Sequence, residues 1–225
     1  MLLRVNEFSS WFELPEAAFS AAQKLAEQVA ARAEGMTHLK DYQALGASLV
    51  AQQPARIFEI GTYLGLTANF FLDVLPDSTV VSIAYVNPPR LLGGRRFNNS
   101  ELKKSEVGAA VTRANQSRFH QHYGDSHQLS ATELIAQYGR FDFVFIDGDH
   151  SLEGVKQDTQ LALALLSPGG MICWHDANPK DRYLDVRHFL ETMPRHALAT
   201  ADTYIGGVAC WSEQVERRIR DHAQR

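Results

Sequence analysis

Apolar and polar positions change period in a regular order along the 225-residue chain. From Glu16 to Ala33 an alanine-rich stretch repeats apolar residues at helical spacing and stops near Gly35. A second helical pattern covers Leu39 to Ala51 and is closed by Pro54. The period then shortens. Ile57–Ile60 reads as a strand, Leu66–Leu75 as a crossover helix and Thr79–Tyr85 as a strand apolar on both faces. Arg118–Tyr123 predicts a third strand, followed by a helix near Ser130–Tyr138. Phe141–Asp147 predicts a fourth strand and Leu152–Leu166 its helix. After the turn Ser167-Pro168-Gly169-Gly170, Gly170–His175 reads as a fifth strand and Arg182–Met193 as a helix. His196–Ala201 and Tyr204–Trp211 form a closing pair before a charged C-terminal helix. Strands alternating with helices predict a doubly wound α/β fold with a mostly parallel seven-stranded sheet. The closing pair is read as an antiparallel terminal hairpin at one edge. Residues 1–54 form an N-terminal helical extension, read as a cap or a dimerisation surface, and residues 55–225 the sheet domain. Residues 1–12 are expected to be a loose docking arm anchored by Trp11 and Phe12.

Composition narrows the function. An apolar share of 45%, a charged share of 21% and a net charge of -4 describe an ordinary globular chain. They give no drive towards nucleic acid or an anionic membrane. No apolar run approaches the roughly 20 residues that span a bilayer, so the cytoplasm is the expected location. Cys173 and Cys210 sit in apolar runs and read as buried reduced thiols. One segment interrupts the alternation. Asn87–Ser105 carries Arg90, Arg95, Arg96, Lys103 and Lys104 against Glu101 alone, and is read as a basic lid over an anionic small molecule.

Ligands of open parallel sheets bind beyond the carboxyl ends of the strands. The first tip offers Glu59, Gly61 and Thr62, where glycines allow close backbone approach and an acid repels phosphate but attracts an ammonium or a hydroxyl. The second offers Ala84 and Tyr85, and the third leads to Gly124-Asp125-Ser126. The fourth ends in Asp147-Gly148-Asp149-His150 and the fifth in Trp174-His175-Asp176. Polar, titratable residues gather where a site belongs.

The set EIGTYLG, GDS, FDFVFIDGDHSLEGVKQD and LLSPGGMICWHD resembles class I S-adenosylmethionine-dependent methyltransferases, over about residues 56 to 176. It is most similar to a bacterial small-molecule group with I-D-G-D-H-S and H-D at strands four and five. The resemblance implies a Rossmann-like methyltransferase domain, S-adenosylmethionine as cofactor and a small-molecule acceptor, methylated at oxygen. It implies that Gly61, Thr62, Tyr63 and Gly65 form the turn beside the methionine part, with Glu59 at its amino end. Ala84 and Tyr85 would adjoin the ribose, Asp125 and Ser126 the adenine, and Asp147 the sulfonium. A bulky residue at Gly61 is expected to block the cofactor without unfolding the domain.

One position departs from the family. Ala84 stands where an acid usually accepts both ribose hydroxyls, removing contacts worth about 1.5–3 kcal/mol each. His150, His175 and Asp147 are the candidates for catalysis, a histidine supplying the base for a hydroxyl acceptor. Mapping the metal-dependent members puts Asp147, His175 and Asp176 at ligand positions. Histidine in that set suits Mn²⁺, Fe²⁺ or Zn²⁺ better than Mg²⁺, and the metal-free site is the preferred reading. Asp158 and Glu153 read as solvated or capping residues. Two alternatives stand: a metal-dependent hydrolase or oxygenase built on Asp147, Asp149, His150, His175 and Asp176, and a catalytically inactive ligand-binding module.

Overall fold

A computed structural model describes residues 1–33, 37–85, 102–177, 184–201 and 206–224. Its strands are β1 (Leu2–Val5), β2 (Arg56–Ile60), β3 (Thr79–Ala84), β4 (Phe119–Tyr123), β5 (Phe141–Ile146), β6 (Leu166–Trp174), β7 (Ala197–Thr200) and β8 (Ala209–Trp211). Its helices are α1 (Glu16–Ala30), α2 (Leu39–Gln52), α3 (Leu66–Val74), α4 (Ala131–Tyr138), α5 (Leu152–Leu165), α6 (Leu184–Thr192) and α7 (Glu213–Ala223). The strands form one open sheet in the order β1-β7-β8-β6-β5-β2-β3-β4.

Among the described residues the sheet has eight strands rather than seven. The expected loose arm is β1, paired in parallel with β7 from Leu2↔Ala197 to Val5↔Thr200. Four residues are too few to show a period, so only the pairing reveals the strand. Behind it the buried anchor is Phe8, while Trp11 and Phe12 pack partly buried against the core. The antiparallel strand is β8, and it is not an edge. It lies between β6 and β7 and runs against both. The expected turn at Ser167–Gly170 is an irregularity within β6, whose pairing with β5 shifts register between Phe141 and Phe143.

Alternate residues of the central strands feed two cores, one on each face. Ile57, Phe143, Phe145 and Cys173 meet α1, α2, α3 and α7 on one side. Phe58, Ile60, Val144, Ile146 and Trp174 meet α4, α5 and α6 on the other. The opening helices therefore complete a core shared with the sheet. Helix α2 buries Tyr42, Leu45 and Leu49 in it, and its middle, from Ala44 to Val50, is buried throughout. Cys173 and Cys210 are buried free thiols on neighbouring strands. Of the basic segment, Arg90, Arg95, Arg96 and Glu101 lie outside the described residues, and the lid expectation with them. No helix among the described residues is long and apolar enough to cross a membrane.

Candidate active site

A cleft opens at the carboxyl ends of β2, β3, β4 and β5, where the parallel sheet topology places ligands. Gly61, Thr62 and Tyr63 form its floor, and Asp125, Ser126 and His127 its far wall. Asp147, Gly148 and Asp149 form the wall beside β5, and Ala84 and Tyr85 the tip of β3.

Gly61 has φ +103°, and a Cβ there would lie 1.9 Å from the carbonyl oxygen of Asp147. The tips of β2 and β5 meet closely enough that no side chain fits between them. A substitution at Gly61 thus displaces backbone, and the expectation that it would spare the fold is overturned. Tyr63 also lies in the left-handed region, at φ +45°, on the cleft floor. Gly65, at φ +82°, caps α3 and is pressed against Gly108 rather than exposed to the cleft; a Cβ would lie 2.8 Å from its Cα.

Glu59 is fully buried behind the floor, off the cleft wall. Burial pushes its carboxyl up to about 8, only partly offset by the hydrogen bond it accepts from Ser82 Oγ. Near pH 7 the protonated form is favoured, and the carboxyl stands behind the turn rather than on the cleft surface. Thr62 Oγ1 lies 2.6 Å from Ser82 Oγ and accepts from Gln121 Nε2 at 2.9 Å, which pins the turn. Ala84 and Tyr85 do reach the cleft, Tyr85 as an exposed side chain. At the far end Asp125 accepts from His127 N at 3.0 Å, and Ser126 Oγ donates to Asp158 Oδ1 at 2.7 Å.

The tips of β5 and β6 bring Asp147, His150, His175 and Asp176 together. His150 Nε2 lies 2.7 Å from Asp176 Oδ2 and 3.4 Å from Asp147 Oδ1. His175 Nδ1 lies 3.3 Å from Asp147 Oδ1 and 3.5 Å from Asp176 Oδ2. Burial opposes charge on His150, but hydrogen bonds to Asp147 and Asp176 outweigh it and carry its pKa up to about 9. Burial likewise opposes charge on His175, and the same two carboxylates hold it well above the usual histidine range. Conversely, the imidazoliums, His175 foremost, overcome burial and keep Asp147 and Asp176 below the usual carboxylate range. His150 and Asp147 are part-exposed, whereas the His175 side chain is 5% exposed; Asp147 lines the cleft and the two histidines stand behind it. Of the two, His150 is the more accessible to solvent.

The same residues suit a divalent ion. One ligand atom each from Asp147, His175 and Asp176 lies within 4.8 Å of the others, and the mixed oxygen–nitrogen set fits a borderline transition metal. His150 stands against two of the three donors, so a bound ion would displace it or take it as a further ligand.

Two buried acids were missed. Asp158 is fully buried on α5, accepting from Ser126 and lying 3.4 Å from His127 Nε2, so it is not the solvated residue expected. Its hydrogen bond, first of all, raises the pKa of His127. Asp41 is fully buried on α2, 3.4 Å from His175 Nε2. An acid at the third position of a helix reads as a capping residue, and Asp41 does accept from His38 N at 3.2 Å. Nothing local reveals its partner, which lies 134 residues away along the chain.

The parallel sheet, its single reversed strand and the cleft at its carboxyl edge define a Rossmann-like α/β protein with a small-molecule site. A family model described as "Methyltransferase domain" matches residues 58–177, more than half of the chain, and the chain belongs to that family. No curated protein sequence matches it. Among solved structures, the SAH-bound methyltransferase PaMTH1 of Podospora anserina shares 18% identity, covering 89% of this chain and 89% of that one, with a TM-score of 0.54. A candidate O-methyltransferase of Klebsiella pneumoniae shares 19% identity, covering 90% of this chain and 92% of that one, with a TM-score of 0.50. At such identities the likeness is one of fold.

Proposed function

We propose that the chain transfers a methyl group from S-adenosylmethionine to an oxygen of a small molecule. The observation that carries this is the cleft itself. Within a methyltransferase domain, Gly61–Tyr63, Ala84–Tyr85, Asp125–His127 and Asp147 line one continuous wall at the tips of β2 to β5. The methionine part lies over Gly61–Tyr63, the ribose against Ala84 and Tyr85, and the adenine between Ser126 and His127. Asp147, kept ionised by its histidine partners, faces the sulfonium and holds a positive charge better than a neutral thioether. The acceptor approaches from the His150 side. Its hydroxyl oxygen attacks the methyl carbon in line, the carbon–sulfur bond breaks, and its proton passes to the minor neutral fraction of His150, so turnover is expected to rise with pH towards about 9. A divalent ion, held by Asp147, His175 and Asp176, would polarise the acceptor hydroxyl and fix its orientation. The basic run Arg90, Arg95 and Arg96 supports an acceptor carrying a carboxylate, phosphate or sulfate. Neither the hydrolase or oxygenase reading nor the inactive-module reading finds support in the comparisons.

Calorimetry with S-adenosylmethionine and S-adenosylhomocysteine tests the reading. Both are expected to bind one site per chain, and Ala84→Asp to tighten both about tenfold by supplying one net charge-assisted hydrogen bond. Absence of binding by either compound to the wild-type chain overturns it.

A further inference from the structure

Outside the matched segment, helix α2 sends one carboxylate into the tip of β6. Asp41 has no solvent exposure. Its Oδ1 accepts from Gly207 N at 3.0 Å, and its Oδ2 from His38 N at 3.2 Å, with His175 Nε2 at 3.4 Å. The surroundings are built around this contact. A Cβ on Gly206 would lie 2.7 Å from Asp41 Oδ2 and 3.2 Å from His175 Nε2, and Gly206 has φ +78°. The chain before β8 therefore passes the pair only as glycine. Gly207 in turn accepts from Ala177 N at 3.0 Å, tying that passage to the end of β6.

A histidine has two ring nitrogens, and the partner of one decides what the other can do. With Nε2 directed at Asp41, His175 turns Nδ1 to Asp147 Oδ1 and Asp176 Oδ2. Asp147 lies on the cleft wall, so α2, β6 and the donor site are joined by one carboxylate–imidazole–carboxylate chain. No lysine or arginine pairs with Asp41 among the described residues, which leaves His175 as its cationic partner. An apolar side chain here would leave the N–H groups of His38 and Gly207 without this acceptor and His175 Nε2 without its partner.

We propose that Asp41 is a positioning residue: it holds His175 in the orientation that directs the Asp147 carboxylate at the sulfonium of the donor. This rests on the proposed methyltransferase reading and assigns a part of the donor site to the N-terminal helices. Asp41 touches neither donor nor acceptor.

The experiment compares Asp41→Asn with the wild type by calorimetry against S-adenosylmethionine and S-adenosylhomocysteine. Asparagine keeps the volume and an acceptor for Gly207, but presents an amide or a neutral oxygen to His175. Loss of positioning is expected to weaken the cationic donor about tenfold while the uncharged product binds within twofold of wild type. In a His175→Gln background the same change is expected to have no further effect on that ratio. Equal weakening of both compounds, or a further effect in the His175→Gln background, overturns the proposal. ¹⁵N NMR of the imidazole nitrogens supplies a second arm that needs no ligand. The Nε2 resonance of His175 is expected to shift in Asp41→Asn, and an unchanged His175 signature overturns the proposal. Failure of the wild type to bind either compound sinks the methyltransferase reading instead, and the NMR arm still decides the role of Asp41.

Discussion

Glu59 illustrates how a residue's position in sequence and its physical state part company. Its place at the end of a strand before Gly61 was legible, and its burial was not, because burial depends on Ser82 and Thr62 from neighbouring elements. A carboxyl with an ordinary value of 4.5, raised to about 8 in the fold, binds its proton more tightly folded than unfolded. Between those values the unfolded chain has released the proton and the folded chain has kept it, so stability falls as pH rises from about 4.5 to about 8 and levels off above. The linkage is on the order of 4–5 kcal/mol for this residue. Glu59→Gln cannot ionise. Urea unfolding of the two proteins at a series of pH values is expected to show the variant gaining on the wild type steadily through that window, and constant difference across it would refute the buried neutral state. Asp158 and Asp41 were illegible for the same reason: a lone acid in a helical pattern gives no sign of the residue it meets across the fold.

At the scale of elements, the periodic segments were read to within a few residues, because amphipathic helices and doubly buried strands carry their signal locally. The exceptions are β1, too short to show a period, and the place of β8 in the sheet, which pairing alone decides. Equally hidden was the means by which the segment from Leu102 to Arg118 forms a wall of the cleft. It is fastened to α3 by a polar cluster. Asn69 Oδ1 accepts from Thr112 N at 2.9 Å and Asn115 Nδ2 at 2.9 Å, while Asn115 Nδ2 also reaches Asp73 Oδ1 at 2.7 Å. Arg118 donates to Asn115 Oδ1 at 2.6 Å and to the carbonyls of Leu72, Leu75 and Ser78. Asn115 is the shared member and is 3% exposed. Its removal leaves buried partners of Asn69 and Arg118 unsatisfied, so Asn115→Ala is expected to cost about 2–4 kcal/mol in chemical denaturation. Because Leu102 and Val107 belong to the cleft wall, donor affinity is expected to fall with it. A variant with wild-type stability would show that the segment is held by its apolar contacts alone.

Across the whole molecule, stability and donor binding are linked through the same strand tips. The core on the α4–α6 face ends at the cleft, with Ile60 and Ile83 forming part of its lining and the backbone of Asp147 packed on Gly61, and the same strands carry the other core on their opposite face. Unfolding either face dismantles the site, so a ligand of the cleft acts on the entire domain. A ligand that binds only the folded chain stabilises it by RT ln(1 + [L]/Kd), about 2.7 kcal/mol at one hundred times Kd. For a chain of this size each kcal/mol corresponds to roughly 2–4 °C in Tm. S-adenosylmethionine at that excess is therefore expected to raise the melting temperature by roughly 5–10 °C. The rise is expected to follow the logarithm of ligand concentration, which distinguishes site binding from a general solvent effect. Adenosine alone, which in the proposed placement would fill only the far end between Asp125 and Ala84, is expected to need a higher concentration for the same shift. A melting curve unmoved by S-adenosylmethionine at millimolar concentration would leave the cleft without its proposed occupant.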